Sequence, residues 1–232
     1  MALVKFGGGV VQMAGSIGGN TFARNRGGNY VRARTKPINP NTALQVAVRA
    51  ALTFLTARWG QTLTAAQRTA WGLYAASVIM QNRLGESINL SGFNHYIRSN
   101  SILKVQGITL IDDGPTIFEI PEADPTFAAV GIEAGQTISV VFDDTQAWAN
   151  EDEAYLFVFQ GQPQNAQRNF FDGPWRFMNS IAGDGTTAPT SPVVMPTVFA
   201  IAEGQRQTVY GRIARADGRL SQPFRADAFT GA

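Results

Sequence analysis

Thr208-Val-Tyr-Gly-Arg-Ile-Ala214, Arg215-Ala-Asp217-Gly218-Arg-Leu-Ser-Gln-Pro223 and Phe224-Arg-Ala-Asp-Ala-Phe229 close the sequence. The two outer runs alternate with a two-residue period, and Asp217-Gly218 between them is a strong hairpin signal. The same period recurs upstream in Ala154–Phe159, Asn169–Met178, Ile138–Phe142 and Val193–Ile201, with Asp124–Phe127 as a first strand. Gly, Pro, Asp and Asn clusters separate these runs. Six or seven short strands over roughly 110 residues predict a C-terminal antiparallel β-sandwich of immunoglobulin or fibronectin type III character.

Upstream of about residue 108 the period changes. Leu44, Val48, Ala51, Leu52, Leu55 and Trp59 recur at three- and four-residue steps, the signature of an amphipathic helix. Asn39 or Asn41 is the expected cap, with Pro40 at a first-turn position, and Gly60 the expected end. Thr64-Ala-Ala-Gln67 has the form of a capping box, followed by an apolar face of Trp71, Tyr74, Ala75 and Val78. A third helix starts at Ser91, carries Phe93, Tyr96, Ile97 and Ile102, and stops at Gly107. Short connections predict antiparallel packing of the first two helices.

The first 41 residues hold glycine at 7, 8, 9, 15, 18, 19, 27 and 28, too densely for an unsupported helix or strand. Residues 18–34 read as a β-hairpin around Gly27-Gly28-Asn29. An isolated hairpin is marginal in water, so this one needs a surface to lie on. The expected fold is therefore α+β: an extended arm (1–41), a small domain of two or three helices (42–107), a linker (108–123) and the sandwich (124–232).

Composition narrows the function. Of 232 residues only 16% are charged, against a typical ~25%, which fits a surface partly covered by partners. Residues 1–110 hold twelve Lys and Arg and a single acid, Glu86, whereas residues 111–232 hold seven Arg and sixteen acids. This asymmetry points to an acidic partner for the basic half. There is no cysteine and one histidine, His95, which excludes a thiol nucleophile and a histidine-cluster metal centre. His95 reads as a packed side chain. The pairs Asp112-Asp113 and Asp143-Asp144 and the run Glu151-Asp-Glu153 sit at strand ends and loops, without the alternation and central glycine of a calcium loop. Gly15-Ser-Ile-Gly18-Gly19 lacks the Gly-Lys-Ser/Thr ending of a phosphate-binding loop. No cofactor is expected, no enzymatic activity, and, without an apolar run of roughly 18 residues, no membrane span. The opening residues lack the order of a signal peptide.

The arginines carry the functional reading. Arg24, Arg26, Arg32, Arg34 and Lys36 fall within thirteen residues, with Phe22 and Tyr30 between them. Alternation predicts one strand face for Arg32 and Arg34 and another for Arg24 and Arg26. A planar guanidinium grips carboxylates or phosphates, so protein and nucleic acid both qualify as partners. A groove between protein subunits is favoured, because four arginines make a small footprint for nucleic acid. With Val10, Ile17, Phe22 and Tyr30 these cations form the expected partner-binding set.

The motif order Gly15-Ser-Ile-Gly18-Gly-Asn-Thr21-Phe-Ala-Arg24-Asn-Arg26, Gly28-Asn-Tyr30-Val-Arg32, Pro37-Ile-Asn-Pro40-Asn-Thr42, Gln45, Arg49, Trp59, Leu63-Thr64, Gln67-Arg68, Trp71, Ser91-Gly92-Phe93-Asn94 and Tyr96 resembles a group of small structural proteins of tailed bacteriophages and prophages. The likeness spans about residues 13–100. It implies a virion role, with the host cytoplasm as the location before assembly. A capsid cement (decoration) protein fits these features best, binding major capsid protein and other copies of itself as a dimer or trimer. A tail, neck or fibre component, a nucleic-acid-binding protein and a carboxylate hydrolase are the competing expectations.

Overall fold

Three side-chain caps set the helices of the computed structural model, which describes residues 2–82 and 84–232. Helix α1 (Ala43–Gln61) begins where the Thr42 hydroxyl accepts from the Gln45 N–H and the Gln45 side chain accepts from the Thr42 N–H. Neither Asn39 nor Asn41 is the cap. Both side-chain oxygens instead accept from the Arg49 guanidinium, at 2.7 and 3.1 Å. Helix α2 (Ala65–Ser77) carries the expected capping box of Thr64 and Gln67. Helix α3 (Gly92–Gln106) is capped by Ser91 and closed by Gly107 at φ +71°, a left-handed position that glycine takes without strain.

Helix α3 packs against both α1 and α2, so it is the shared neighbour and the first two helices are not the principal pair. Aromatic rings cause this. Tyr96 of α3 lies between Trp59 of α1, 5.3 Å away, and Trp71 of α2, 5.7 Å away. The residues expected as linker do not hang free up to Phe118. The Asn100 amide donates to the Ile111 carbonyl and accepts from its N–H, at 2.9 and 2.8 Å. Arg58 binds the Asp112 carboxylate through two nitrogens, at 2.8 and 2.5 Å, and Trp71 Nε1 donates to the Asp112 carbonyl at 2.9 Å. Residues 108–118 are thereby strapped over the helices.

His95 meets the Tyr74 ring edge to face at 5.1 Å, is 1% exposed, and neither ring nitrogen has a hydrogen-bond partner among the described residues. Burial, helped by the Arg98 charge, pushes it down to about 4. A histidine that resists protonation when folded but not when unfolded costs stability as pH falls from its ordinary value of 6.5 toward 4. Urea unfolding at pH 5 should therefore show about 2 kcal/mol less stability from this group than at pH 7. His95→Phe should abolish that difference; a wild-type protein equally stable at both values would refute this account.

The opening residues form strands β1 (Ala2–Leu3), β2 (Gly15–Ile17), β3 (Asn20–Asn25) and β4 (Gly28–Ala33), an antiparallel sheet of order β1-β4-β3-β2. The expected hairpin is β3–β4, turning at Arg26-Gly27. This sheet has no core, for none of residues 2–41 is buried. It touches the small hairpin β5 (Met80–Gln81) and β6 (Ser87–Ile88) through Asn82, which donates to the Gly27 carbonyl at 3.1 Å, and through the Lys5–Glu86 ion pair at 2.6 Å.

The chain divides into two compact units, the first ending at Phe118 and the second starting at Glu119. The second unit holds β7 (Ala128–Ile132), β8 (Thr137–Val141), β9 (Tyr155–Gly161), β10 (Trp175–Ala182), β11 (Val193–Pro196), β12 (Arg206–Ala214) and β13 (Phe224–Gly231). Asp124–Phe127 is a turn and not the first strand. The buried Asp124 carboxylate accepts from the Thr126 N–H and hydroxyl and from the Asp143 N–H, each at 2.8 Å, which closes the chain on itself. Residues 169–174 likewise precede β10, and β11 ends at Pro196, short of Ile201.

The seven strands run β10-β9-β12-β13-β7-β8-β11 and are antiparallel except where Thr230 and Gly231 of β13 meet β7 in parallel. Hydrogen bonding thus makes one continuous sheet, with no break between two separate sheets. β13 pairs with β12 over Phe224–Phe229 before crossing to β7, and the edge strands β10 and β11 approach one another. The curled sheet encloses Ile138, Val140, Leu156, Val158, Met195, Val209 and Ile213, with Phe142 and Trp148. The protein is α+β, with three helices among the described residues and one large, mostly antiparallel sheet.

Candidate functional site

The strand register sorts the expected partner-binding residues. Phe22 opposes Val31 and Gly15, and Ile17 opposes Asn20, so Ile17, Phe22, Arg24 and Val31 share one face of the arm sheet. Thr21 opposes Arg32 and Ala23 opposes Tyr30, which sets Tyr30 and Arg32 on the other face with Leu3. Arg26 lies in the turn and Arg34 just beyond β4, where its N–H donates to the Gly19 carbonyl. The expected pairing of Arg24 with Arg26 and of Arg32 with Arg34 on strand faces therefore fails, because each pair has one member outside a strand. Val10 sits in the loop after β1, and Lys36 in the extended segment that leads to α1.

Among the described residues none of Arg24, Arg26, Arg32, Arg34 and Lys36 meets a carboxylate. Arg24 reaches only the Gln12 side chain, at 3.3 Å. The acids of this unit are engaged elsewhere: Glu86 with Lys5, Asp112 with Arg58, and Asp113 with the Gln67 amide. Residues 1–118 hold twelve Lys and Arg against three acids, a formal +9; residues 119–232 hold seven against fourteen, a formal −7.

Helix α1 adds a surface that its periodicity concealed. Ala51 and Leu55 are buried as expected, but Leu44, Val48 and Leu52 are 54%, 58% and 48% exposed, and Val46 and Phe54 are exposed on other sides. Only the C-terminal half of the helix reaches α3. Its N-terminal half is apolar nearly all round, with Arg49 its sole charge, and that charge is held by Asn39 and Asn41. A helix with this composition belongs in an interior. That all-round pattern, from Ala43 to Leu55, was the signal available in the sequence. Val11 and Ile38 of the arm are uncovered apolar side chains as well, 85% and 89% exposed.

The acidic clusters hold loops. Asp143 accepts from the Thr145 N–H and hydroxyl, Asp144 from the Ser191 N–H, and Asp152 from the Gly185 N–H, while Glu151 pairs with Arg215. No group of three or more His, Cys, Asp or Glu among the described residues is placed to hold a metal ion.

No family model and no curated protein matches the chain. Among solved structures, a family 76 glycoside hydrolase from a bovine Bacteroides thetaiotaomicron strain is similar over 47% of this chain and 21% of its own, with 14% identity and a TM-score of 0.32. The adhesin domain of Epf from Streptococcus pyogenes is similar over 48% of this chain and 32% of its own, with 8% identity and a TM-score of 0.30. The chain thus spans a third or less of either protein. Likeness at this level carries no argument about function.

Proposed function

We propose that this chain is a structural protein of a tailed-bacteriophage virion, a capsid cement protein that lies across major capsid protein subunits beside other copies of itself. One observation carries the reading: a four-stranded sheet with no buried residue is followed in the chain by a helix whose N-terminal half is apolar nearly all round and exposed. Ordering such an arm costs roughly 1–2 kcal/mol of backbone entropy per residue. Burial of Ile17, Phe22, Val31, Leu44 and Val48 against a partner, with acids opposite the arginines, would offset that cost. Exposed apolar patches of this kind mark interaction sites, and symmetric repetition on a shell multiplies each modest contact. The reading extends to the second unit, whose curled sheet we take as an immunoglobulin- or fibronectin III-type sandwich, since its two halves face one another across a shared core.

Purified protein mixed with mature capsids should co-sediment in a fixed ratio to the shell protein. Limited proteolysis should cut within residues 2–41 of the free chain and spare them on the particle. Equal cleavage in both states would overturn the proposal. A handful of copies per particle would transfer the protein to the tail, neck or fibre. Salt-sensitive retention on DNA without capsid binding would make it a nucleic-acid-binding protein.

A further inference from the structure

The outer face of the second unit's sheet carries aromatic rings where a solvated face would carry polar side chains. Val209 and Ile213 of β12 point into the core, so the alternate residues Tyr210 and Arg212 point outward. Opposite them in the β9–β12 register stand Phe159 and Phe157. Tyr210 stacks on Phe159 at 4.5 Å, and Phe157 is fully buried although it faces away from the core. Beyond Tyr210 the layer continues edge to face through Trp175, at 4.7 Å, to Phe171, at a further 4.9 Å. Gly161 admits the Phe171 ring, since a Cβ there would collide with it. The layer ends in a cavity of about 370 Å³, walled mainly by Phe171, Trp175, Tyr210 and Phe224, with Arg212 and Arg225 among them. That volume lies within the ~300–1,000 Å³ typical of small-molecule sites.

Arg212 lacks a counter-charge. Four arginines of this unit are withdrawn from solvent, and three of them meet a carboxylate: Arg206 with Asp227, Arg215 with Glu151 and Arg219 with Asp217. Arg212, the fourth, meets none among the described residues. Its Nη2 donates to the Ser221 carbonyl at 3.2 Å, and its Nε is shut away from solvent with no acceptor. Burial pushes this guanidinium down from its ordinary range, and the one ionisable group that acts on it is Tyr210, not a carboxylate. Of the other charges on the wall, Arg225 pairs with Asp227 and donates to the Phe171 carbonyl at 2.8 Å, and Asp172 is already engaged. A cation drawn out of water is stabilised by a hydrogen-bonded anion, and the planar guanidinium matches a carboxylate. The rest of the wall is rings, which pack against a further ring edge to face or offset.

We propose that this cavity binds a small aromatic carboxylate, with the carboxylate on the terminal nitrogens of Arg212 and the ring against Trp175 and Tyr210. The site is independent of the capsid reading, because every lining residue belongs to the second unit and the test needs no particle. Benzoate, benzamide and acetate are titrated into the full chain at pH 7 and followed by amide chemical shifts. Benzamide keeps the ring without the charge, and acetate keeps the charge without the ring. Benzoate should saturate, with shifts centred on Trp175, Tyr210 and Arg212, and should bind roughly tenfold or more tightly than either, the worth of one charge-assisted hydrogen bond. Arg212→Gln should bring benzoate down to the level of benzamide and leave benzamide itself unchanged. Trp175→Ala, at a half-exposed ring whose loss the fold should tolerate, should weaken benzoate and benzamide alike, by roughly tenfold. No saturation by benzoate overturns the proposal, as do shifts centred elsewhere, benzamide or acetate binding equally well, or a folded Arg212→Gln or Trp175→Ala protein that binds benzoate like wild type.

Discussion

Replacing Trp71 by alanine should destabilise the helical unit by about 4–5 kcal/mol, the upper end for loss of a buried aromatic side chain. Three observations place it there. The side chain is fully buried and meets Tyr74 and Tyr96 edge to face, at 6.2 and 5.7 Å. Its Nε1–H donates to the Asp112 carbonyl, which would be left without that donor inside the fold. The cavity could not readily collapse, because backbone stands close by on two sides. A Cβ on Gly114 would lie 2.5 Å from the Trp71 nitrogen, and one on Gly92 would lie 2.8 Å from its carbonyl carbon. Whole-domain stabilities run to only about 5–15 kcal/mol, so the variant should unfold far earlier in urea, read by helical circular dichroism. Trp71→Phe, which keeps most of the volume but not the indole N–H, should lose less than half as much. A Trp71→Ala midpoint close to wild type would show that the strap and the helix ends do move inward.

What the sequence made legible was local. The capping box of Thr64 and Gln67, the Ser91 cap, the Gly107 stop and the hairpin at Asp217-Gly218 each depend on residues within a few positions of one another. The start of α1 was not legible, because Asn39, Asn41 and Thr42 can all cap. Arg49 decides between them by occupying both asparagines, a contact ten residues long. Asp124-Pro125 carried a turn signal that the alternation around it outweighed, and the buried Asp124 carboxylate follows that signal. Residues 108–118 looked like linker since the Asn100–Ile111 pairing and the Arg58–Asp112 ion pair connect distant positions. Periodicity found Leu44, Val48 and Leu52 but could not tell whether this chain or another covers them.

Replacing Arg24, Arg26, Arg32 and Arg34 by glutamine should leave the fold intact and lower capsid affinity about 100-fold. The first half follows from the absence of any carboxylate partner for these side chains, since unpaired surface changes stay within roughly 0.5 kcal/mol. The second half comes from exposed ion pairs, worth about 0.2–1 kcal/mol each, so that four amount to roughly 1–4 kcal/mol, or about 5- to 1,000-fold in Kd. Raising salt should carry the wild-type affinity toward that of the variant, because the lost term is electrostatic. The register then allows a finer cut. Phe22→Ser with Arg24→Gln alters one face of the arm sheet, and Tyr30→Ser with Arg32→Gln alters the other. A sheet wedged between two capsid subunits needs both faces, and each double variant should weaken binding on its own. If one double variant binds normally, the arm lies flat on a single subunit, and cohesion across the joint must come from the apolar end of α1.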